Sequence, residues 1–322
     1  MSESIKTLPV VGQSAPSEPG ECGLGHACSF CPRESSCRLD KDRHDRALVT
    51  SRLDGIGAVV AVMANKGGVG KSTVAANLAV ALARKGLRVG LGDADVHGPN
   101  SPKLFGLSGE RVKVRRNGIT PVRYESADRL AKIPVASLGF FLPESDTPIV
   151  WRDPYKFDYV HHLVGSHDWG SLDVLVIDMP PGTGNELITL CDVLEGRPFS
   201  AMLVSAADAL SLEDSLKAAR FCRERGVPVL GLVENLAGLT CPHCGGAVEL
   251  APRDPSVDCF QQEGIETLAQ IPFHPAISGA VADGHPIVGL DPANDASNAF
   301  LDLAGRVIEF GSQARAVAAP GP

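Results

Sequence analysis

Residues 57–64, GAVVAVMA, form an unbroken apolar run, the pattern of a strand buried on both faces. A polar loop follows. The period then changes: in STVAANLAVALARKG (72–86), apolar Val74, Leu78, Ala81 and Leu82 fall on one helical face. Lys and Arg occupy its last turn, and Gly86 is placed to cap it. Further strands are predicted at RVGLGD (88–93), LAKIPVASL (130–138), LDVLVID (172–178), FSAMLVS (199–205) and VPVLGLVEN (227–235). LSLEDSLKAARFCRERG (210–226) predicts a helix between the last two, and residues 275–310 predict two closing helices. Strands alternating with helices give an α/β fold, with a mainly parallel sheet and helices on both faces.

The ends differ in texture. Residues 1–21 are polar and rich in Pro, Ser and Gly, and are expected to be a disordered lead. Residues 22–37, CGLGHACSFCPRESSC, carry four cysteines, and the charged run RLDKDRHDR after them reads as a solvated helix face. The expected organisation is a lead at 1–21, a cysteine-rich metal-binding extension at 22–45, one α/β domain at 46–310 and a flexible tail at 311–322. No internal repeat is present.

Composition narrows the function classes. The net charge of −8 argues against a nucleic-acid partner, since duplex binding needs a basic footprint. No apolar run is long enough to span a bilayer, and the N-terminal residues lack the charged-then-apolar order of a signal peptide. A cytoplasmic location with no membrane partner is therefore expected. In that compartment clustered cysteines point to metal or chemistry rather than disulfides.

NKGGVGKST (65–73) joins the first strand to the first helix. In that context glycines let backbone amides wrap a phosphate, and the helix N-terminus adds free N–H groups and a positive dipole end. The expected nucleotide contacts run through Asn65, Lys66, Gly67, Gly68, Val69, Gly70, Lys71, Ser72 and Thr73. Lys71 is placed for the β/γ phosphates, Ser72 for Mg²⁺ and Thr73 for the α-phosphate. VLVIDMPPGTG (174–184) is an apolar strand ending in Asp178, the position that holds Mg²⁺ through water, and GDADVHGPN (92–100) puts Asp93 and Asp95 just past another strand.

KGGVGKST resembles the deviant Walker A motif of the MinD-like P-loop NTPases. That resemblance implies an ATP-dependent homodimer in which Lys66 reaches the partner's nucleotide. NKGGVGKST, DADVHGPN, PIVWRDP, HDWGSLDVLVIDMPPGTGNE, VENLAG and CPHCGG occur in the order and at the spacings of the Mrp (ApbC) family of iron–sulfur cluster carrier ATPases. The resemblance covers roughly residues 55–290. It implies ATP and Mg²⁺ as cofactors, and slow ATP hydrolysis coupled to transfer of [4Fe–4S] clusters to apo-proteins. It further implies that Asp95 orients the attacking water, Asp93 helps the metal, Gly182 offers an amide to the γ-phosphate and Asn235 reads adenine.

Cys241 and Cys244 offer two thiolates where a cluster or a tetrahedral zinc needs four. Alone, CPHCGG would pass for half a zinc ribbon. By resemblance, the pair meets its twin across a dimer and holds one bridging [4Fe–4S] cluster. Cys22, Cys28, Cys31 and Cys37 can ligate one centre within a single chain. Their C-x2-C-x5-C part matches the extension of the eukaryotic scaffold branch of the family, which implies a second [4Fe–4S] cluster. The first cysteine departs from that spacing, and zinc with His26 as a substitute ligand stays open.

Cys191, Cys222 and Cys259 read as ordinary buried thiols, His161 and His162 as structural, and His97 as incidental. His274 stands where the family commonly has an acidic or amide residue. The rival readings are a MinD- or ParA-like positioning ATPase, a reductase like the nitrogenase iron protein and a zinc-stabilised regulatory NTPase. A paralogue could replace one copy in the dimer.

Overall fold

The computed structural model describes residues 22, 24–28, 31, 33–142, 153–241, 243, 244, 246–248 and 256–318. The expectations for residues 1–21, for PIVWRDP before residue 153 and for the last four residues lie outside these.

The described elements in chain order are α1 (Lys41–Asp54), β1 (Val59–Met63), α2 (Lys71–Arg84), β2 (Val89–Asp93), α3 (Ser101–Leu104), β3 (Lys113–Arg115), β4 (Gly118–Thr120), β5 (Val122–Glu125) and β6 (Lys132–Ser137). Then come α4 (Asp153–Gly165), β7 (Val174–Asp178), α5 (Asn185–Val193), β8 (Phe199–Ala206), α6 (Ala209–Glu224), β9 (Val229–Thr240) and β10 (Ala247–Val248). The chain closes with α7 (Ser256–Gln262), β11 (Thr267–Phe273), α8 (Pro275–Ala282), α9 (Ile287–Leu290) and α10 (Asp295–Ala318).

The sheet runs β10-β9-β8-β1-β7-β2-β6-β5, with β11 also paired to β9. Its interior pairs are parallel, while β5 and β10 run antiparallel to β6 and β9. Strand β1 shows why its run lacks alternation. Val60 and Val62 face the layer built by α2 and α10, whereas Val59, Ala61 and Met63 face α4, α5 and α6. Both sides of the pleat are covered, so both must be apolar.

The structure differs from the sequence expectations in several places, helices α3, α4, α5 and α7 among the elements it adds. The β3–β4 hairpin and strands β5, β10 and β11 are additional; each is short or edge-placed, so no long apolar run marks it. Residues 275–310 hold three helices rather than two, because Pro286 stands between the first pair. Residues 311–318, expected as part of a flexible tail, continue α10, where Gln313, Ala314, Arg315, Ala316 and Ala318 are good helix formers. Helix α1 runs unbroken across residues 45 and 46, where a domain boundary was expected. Asp42, Arg43 and Arg46 are exposed, but His44 and Asp45 of the charged run are half-buried against the cysteine segment, and Val49 and Leu53 join the core beside α4. No described helix is long and apolar enough to cross a membrane.

Candidate functional site

The loop of residues 64–70 leaves β1 at the carboxyl edge of the sheet and enters α2. Gly68 and Gly70 have φ of +82° and +84°, a region that L side chains avoid. A Cβ on Gly67 or Gly68 would meet nothing within 4 Å, so these two line open space and their backbone is accessible to a phosphate. Val69 is buried and anchors the loop. At Gly70 a Cβ would fall 2.1 Å from Nδ2 of Asn235, which donates to the Val69 carbonyl at 2.8 Å. Asn235 therefore braces the cradle directly. Ser72 and Thr73 open α2 half-buried, and Asn77 ties that turn down by donating to the Thr73 carbonyl at 2.9 Å.

Lys71 and Asp178 are both buried and pair at 2.5 Å. Burial pushes the Asp178 carboxyl up, and the Lys71 ammonium opposes this. Asp178 Oδ2 is buried with no hydrogen-bond partner. An orphaned carboxylate oxygen this deep costs free energy, and one beside Ser72 suits a hydrated Mg²⁺. Asp178 and Ser72 would hold that ion, which would neutralise phosphate charge.

Asp93 is registered directly beside Asp178 across the β2–β7 pair. Its oxygens accept from the amides of Asp95 and Ser101, each at 3.1 Å, and from Ser137 Oγ at 3.0 Å. Burial and then the Asp178 charge push its carboxyl up. Asp93 thus holds the loop from Asp95 to Ser101 by its backbone. Asp95 is half-buried, and its Oδ1 accepts from His97 and Gly98 amides, each at 3.2 Å. Gly182 has φ +96°, but its amide donates to the Ala64 carbonyl at 2.9 Å. It must leave that bond to reach a phosphate. Lys66 pairs with Asp214 of α6 at 3.7 Å and is about a third exposed.

The cysteine pair sits at the far end of β9, on the same carboxyl edge. The Cys241 amide donates to the Gly246 carbonyl at 2.8 Å and closes the turn into β10. Cys244 is exposed. Amides of His243 and Cys244 hold the Cys241 thiol below its ordinary range, which favours the metal-binding thiolate.

The four N-terminal cysteines lie at the opposite, amino edge of the sheet. The Gly25 amide donates to Arg116 O at 2.6 Å and the Ala27 amide to Ser166 Oγ at 3.0 Å. Arg52 of α1 reaches Asp168 at 3.1 Å, Gly25 O at 3.3 Å and Asn117 O. The cysteine segment is therefore fastened to the β3–β4 turn and to the loop before β7. Cys22, Cys28, Cys31 and Cys37 line one small pocket with His26 and His44. Among the described residues, no three of these thiols lie within 4.8 Å of one another; the one such donor group is Cys28, His44 and Asp45. A single tetrahedral zinc with bonds near 2.3 Å requires S···S spacings of roughly 3.8 Å, so no three of these thiols stand as the ligands of one such ion. Burial and then the Asp45 charge push the Cys28 thiol up to about 12.

Sequence reasoning missed His44, Asp45, Ser137, Tyr159 and Glu234. His44 Nδ1 lies 3.0 Å from Asp45 and 3.5 Å from Cys28 Sγ, Tyr159 donates to Asp93 O at 2.9 Å, and Glu234 accepts from Thr267 and Gln270. Glu234 stands in VENLAG beside Asn235, but nothing in that motif marks its contacts; the other four stand in no motif, and all five places follow from tertiary contacts. Cys222 is buried, while Cys191 and Cys259 are half-buried.

Residues 55–308 match the family model for ParA-type NUBPL iron-transfer P-loop NTPases. The iron-sulfur cluster carrier protein of Aquifex aeolicus is 41% identical over 79% of this chain and 68% of its own length. The human cytosolic Fe-S cluster assembly factor NUBP2 is 34% identical over 82% of this chain and 97% of its own. The nucleotide-binding protein of Archaeoglobus fulgidus, solved with ADP, superposes with a TM-score of 0.58 at 33% identity, covering 82% of this chain and 93% of that one. The cell division ATPase MinD of Pyrococcus furiosus shares the fold, with a TM-score of 0.53 at 23% identity over 79% of this chain and 99% of its own. The chain belongs to the NUBPL-type iron-transfer P-loop NTPases, the family of iron–sulfur cluster carriers and assembly factors.

Proposed function

We propose that the protein is a slow ATPase that carries [4Fe–4S] clusters and hands them to apo-proteins. The observation that carries this reading is the placement of the two-thiol turn, with half-buried Cys241 and exposed Cys244, on the same sheet edge as the phosphate cradle. Two thiolates are half a cluster site, and a second copy facing this edge supplies the other half. ATP brings two copies together across their cradles. Lys66 leaves Asp214 and reaches the other copy's nucleotide; Lys71 leaves Asp178 for the β/γ phosphates. Asp178 and Ser72 would hold Mg²⁺, which would neutralise phosphate charge, and Asp95 orients the attacking water. Gly182 exchanges the Ala64 carbonyl for the γ-phosphate, which moves the loop after β7. β7 and β9 flank β1 and β8 in one sheet, so closure and opening alter how tightly the two thiolates grip their cargo. An incoming thiol from an apo-protein then displaces them.

In this reading the N-terminal pocket would hold a resident second cluster. The pocket stands at the amino edge, a strand's length of roughly 17 Å plus loops away from the carboxyl edge, and would serve an external partner rather than the bridging site. The test is transfer to an apo-ferredoxin followed by its visible spectrum. Transfer should require ATP and fail in Lys66→Ala with nucleotide binding intact. Unchanged transfer and hydrolysis in that variant would refute the cross-subunit step.

A further inference from the structure

The His26 ring is 1% exposed, and its Nε2 has no hydrogen-bond partner. Its Nδ1 lies 3.2 Å from the Ala27 carbonyl. A carbonyl oxygen can only accept, so Nδ1 carries the hydrogen and Nε2 of the neutral ring presents a bare lone pair. Buried polar atoms without partners are rare and costly. This one belongs to a ring that lines the pocket of Cys22, Cys28, Cys31 and Cys37. A backbone carbonyl on one ring nitrogen is also the usual partner that orients the other toward a metal.

The ring is held there by construction. The residues on either side are pinned by the Gly25–Arg116 and Ala27–Ser166 bonds. A Cβ at position 25 would fall 2.1 Å from Asn117 O, so only glycine lets the chain lie this close. Downstream, three consecutive turns link the donors: Cys31 N to Cys28 O at 2.9 Å, Glu34 N to Cys31 O at 3.0 Å and Cys37 N to Glu34 O at 3.3 Å. Cys28, Cys31 and Cys37 are therefore linked by successive backbone hydrogen bonds. Cys22 takes no part in these bonds, although its thiol is near enough to the other three to interact with them electrostatically.

We propose that His26 Nε2 ligates the N-terminal metal centre together with Cys28, Cys31 and Cys37, leaving Cys22 as the dispensable thiol. Resting on the iron–sulfur reading above, this makes the centre a three-cysteine, one-histidine cluster. Exchange of a thiolate for neutral imidazole removes one negative charge and raises the reduction potential.

The test uses the full chain with Cys241→Ser and Cys244→Ser, so that the N-terminal centre alone remains after anaerobic reconstitution. Pulsed electron paramagnetic resonance of the reduced protein should show a directly bound nitrogen that changes with ¹⁵N-histidine labelling and is lost in His26→Leu. Cys22→Ser should retain full iron and sulfide and the nitrogen signal. Absence of that signal, or loss of the cluster in Cys22→Ser, would overturn the assignment, and the Cys22 arm stands even if His26→Leu fails to fold. If zinc binds instead, X-ray absorption showing one nitrogen and three sulfurs supports the ligand set and refutes the iron–sulfur reading; four sulfurs refute both.

Discussion

Asn235 and Gly70 occupy the same space: the Asn235 amide nitrogen lies where a side chain on Gly70 would begin, 2.1 Å from the built Cβ. The amide donates to Val69 O at 2.8 Å, so strand β9 holds the cradle in shape. Gly70→Ala should weaken Mg–ATP binding at least tenfold, through this clash and the positive φ of +84°. Titration calorimetry on Gly70→Ala and Gly70→Ala/Asn235→Ala checks it. The second variant removes the clash but not the backbone strain, and should recover stability without recovering full affinity.

The Lys71–Asp178 pair at 2.5 Å is buried. Removal of one partner from a buried pair costs about 3–5 kcal/mol, because the other charge is left alone. Lys71→Met should lower the nucleotide-free unfolding free energy by about that much. Lys71→Met/Asp178→Asn should restore much of it while remaining unable to hydrolyse ATP. Urea denaturation of the three proteins reads the difference.

Acid should destabilise the fold through His162 and His167. Burial pushes both imidazoles down to about 4 from an ordinary value of 6.5. Between those values the unfolded chain binds protons that the folded chain refuses, so stability rises with pH across this window. The contribution is complete above pH 6.5 and is lost as pH falls toward 4, by about 3 kcal/mol per residue at most. His167→Phe should flatten the dependence in unfolding free energy measured from pH 7 to pH 4.5; an unchanged slope would count against it.

Arg52 joins α1, the cysteine segment and the loop before β7 through Asp168, Gly165 O and Gly25 O. Arg52→Ala should raise amide hydrogen exchange across residues 24–40 and loosen the N-terminal pocket. Nucleotide affinity should not change, since the cradle lies on the other edge of the sheet.

Much of this architecture is legible in the sequence, for physical reasons. Strand β1 and helix α2 announce themselves because both faces of the one and one face of the other are buried. The cradle is legible because a phosphate loop needs glycines at fixed spacing between those two elements. Asp178 and Asp93 follow from strand ends, but their separate roles do not. Asp93 spends its oxygens on Asp95, Ser101 and Ser137, and Ser137 is 44 residues away with no local pattern to mark it. The same holds for His44 and Asp45, which lie in a charged run that reads as solvent-facing until the cysteine segment folds over it. The β3–β4 hairpin and β11 are short or edge-placed, where burial imposes little periodicity.

The central claim is that the Cys241–Cys244 turn shares one cluster between two copies. Iron, acid-labile sulfide and zinc per chain after anaerobic reconstitution, with native mass, test it on the wild type and on Cys241→Ser/Cys244→Ser. The account predicts a wild-type dimer with about six irons per chain and a variant with about four, one cluster in each N-terminus and one shared. Zinc without labile sulfide, in a variant that remains dimeric, would contradict it.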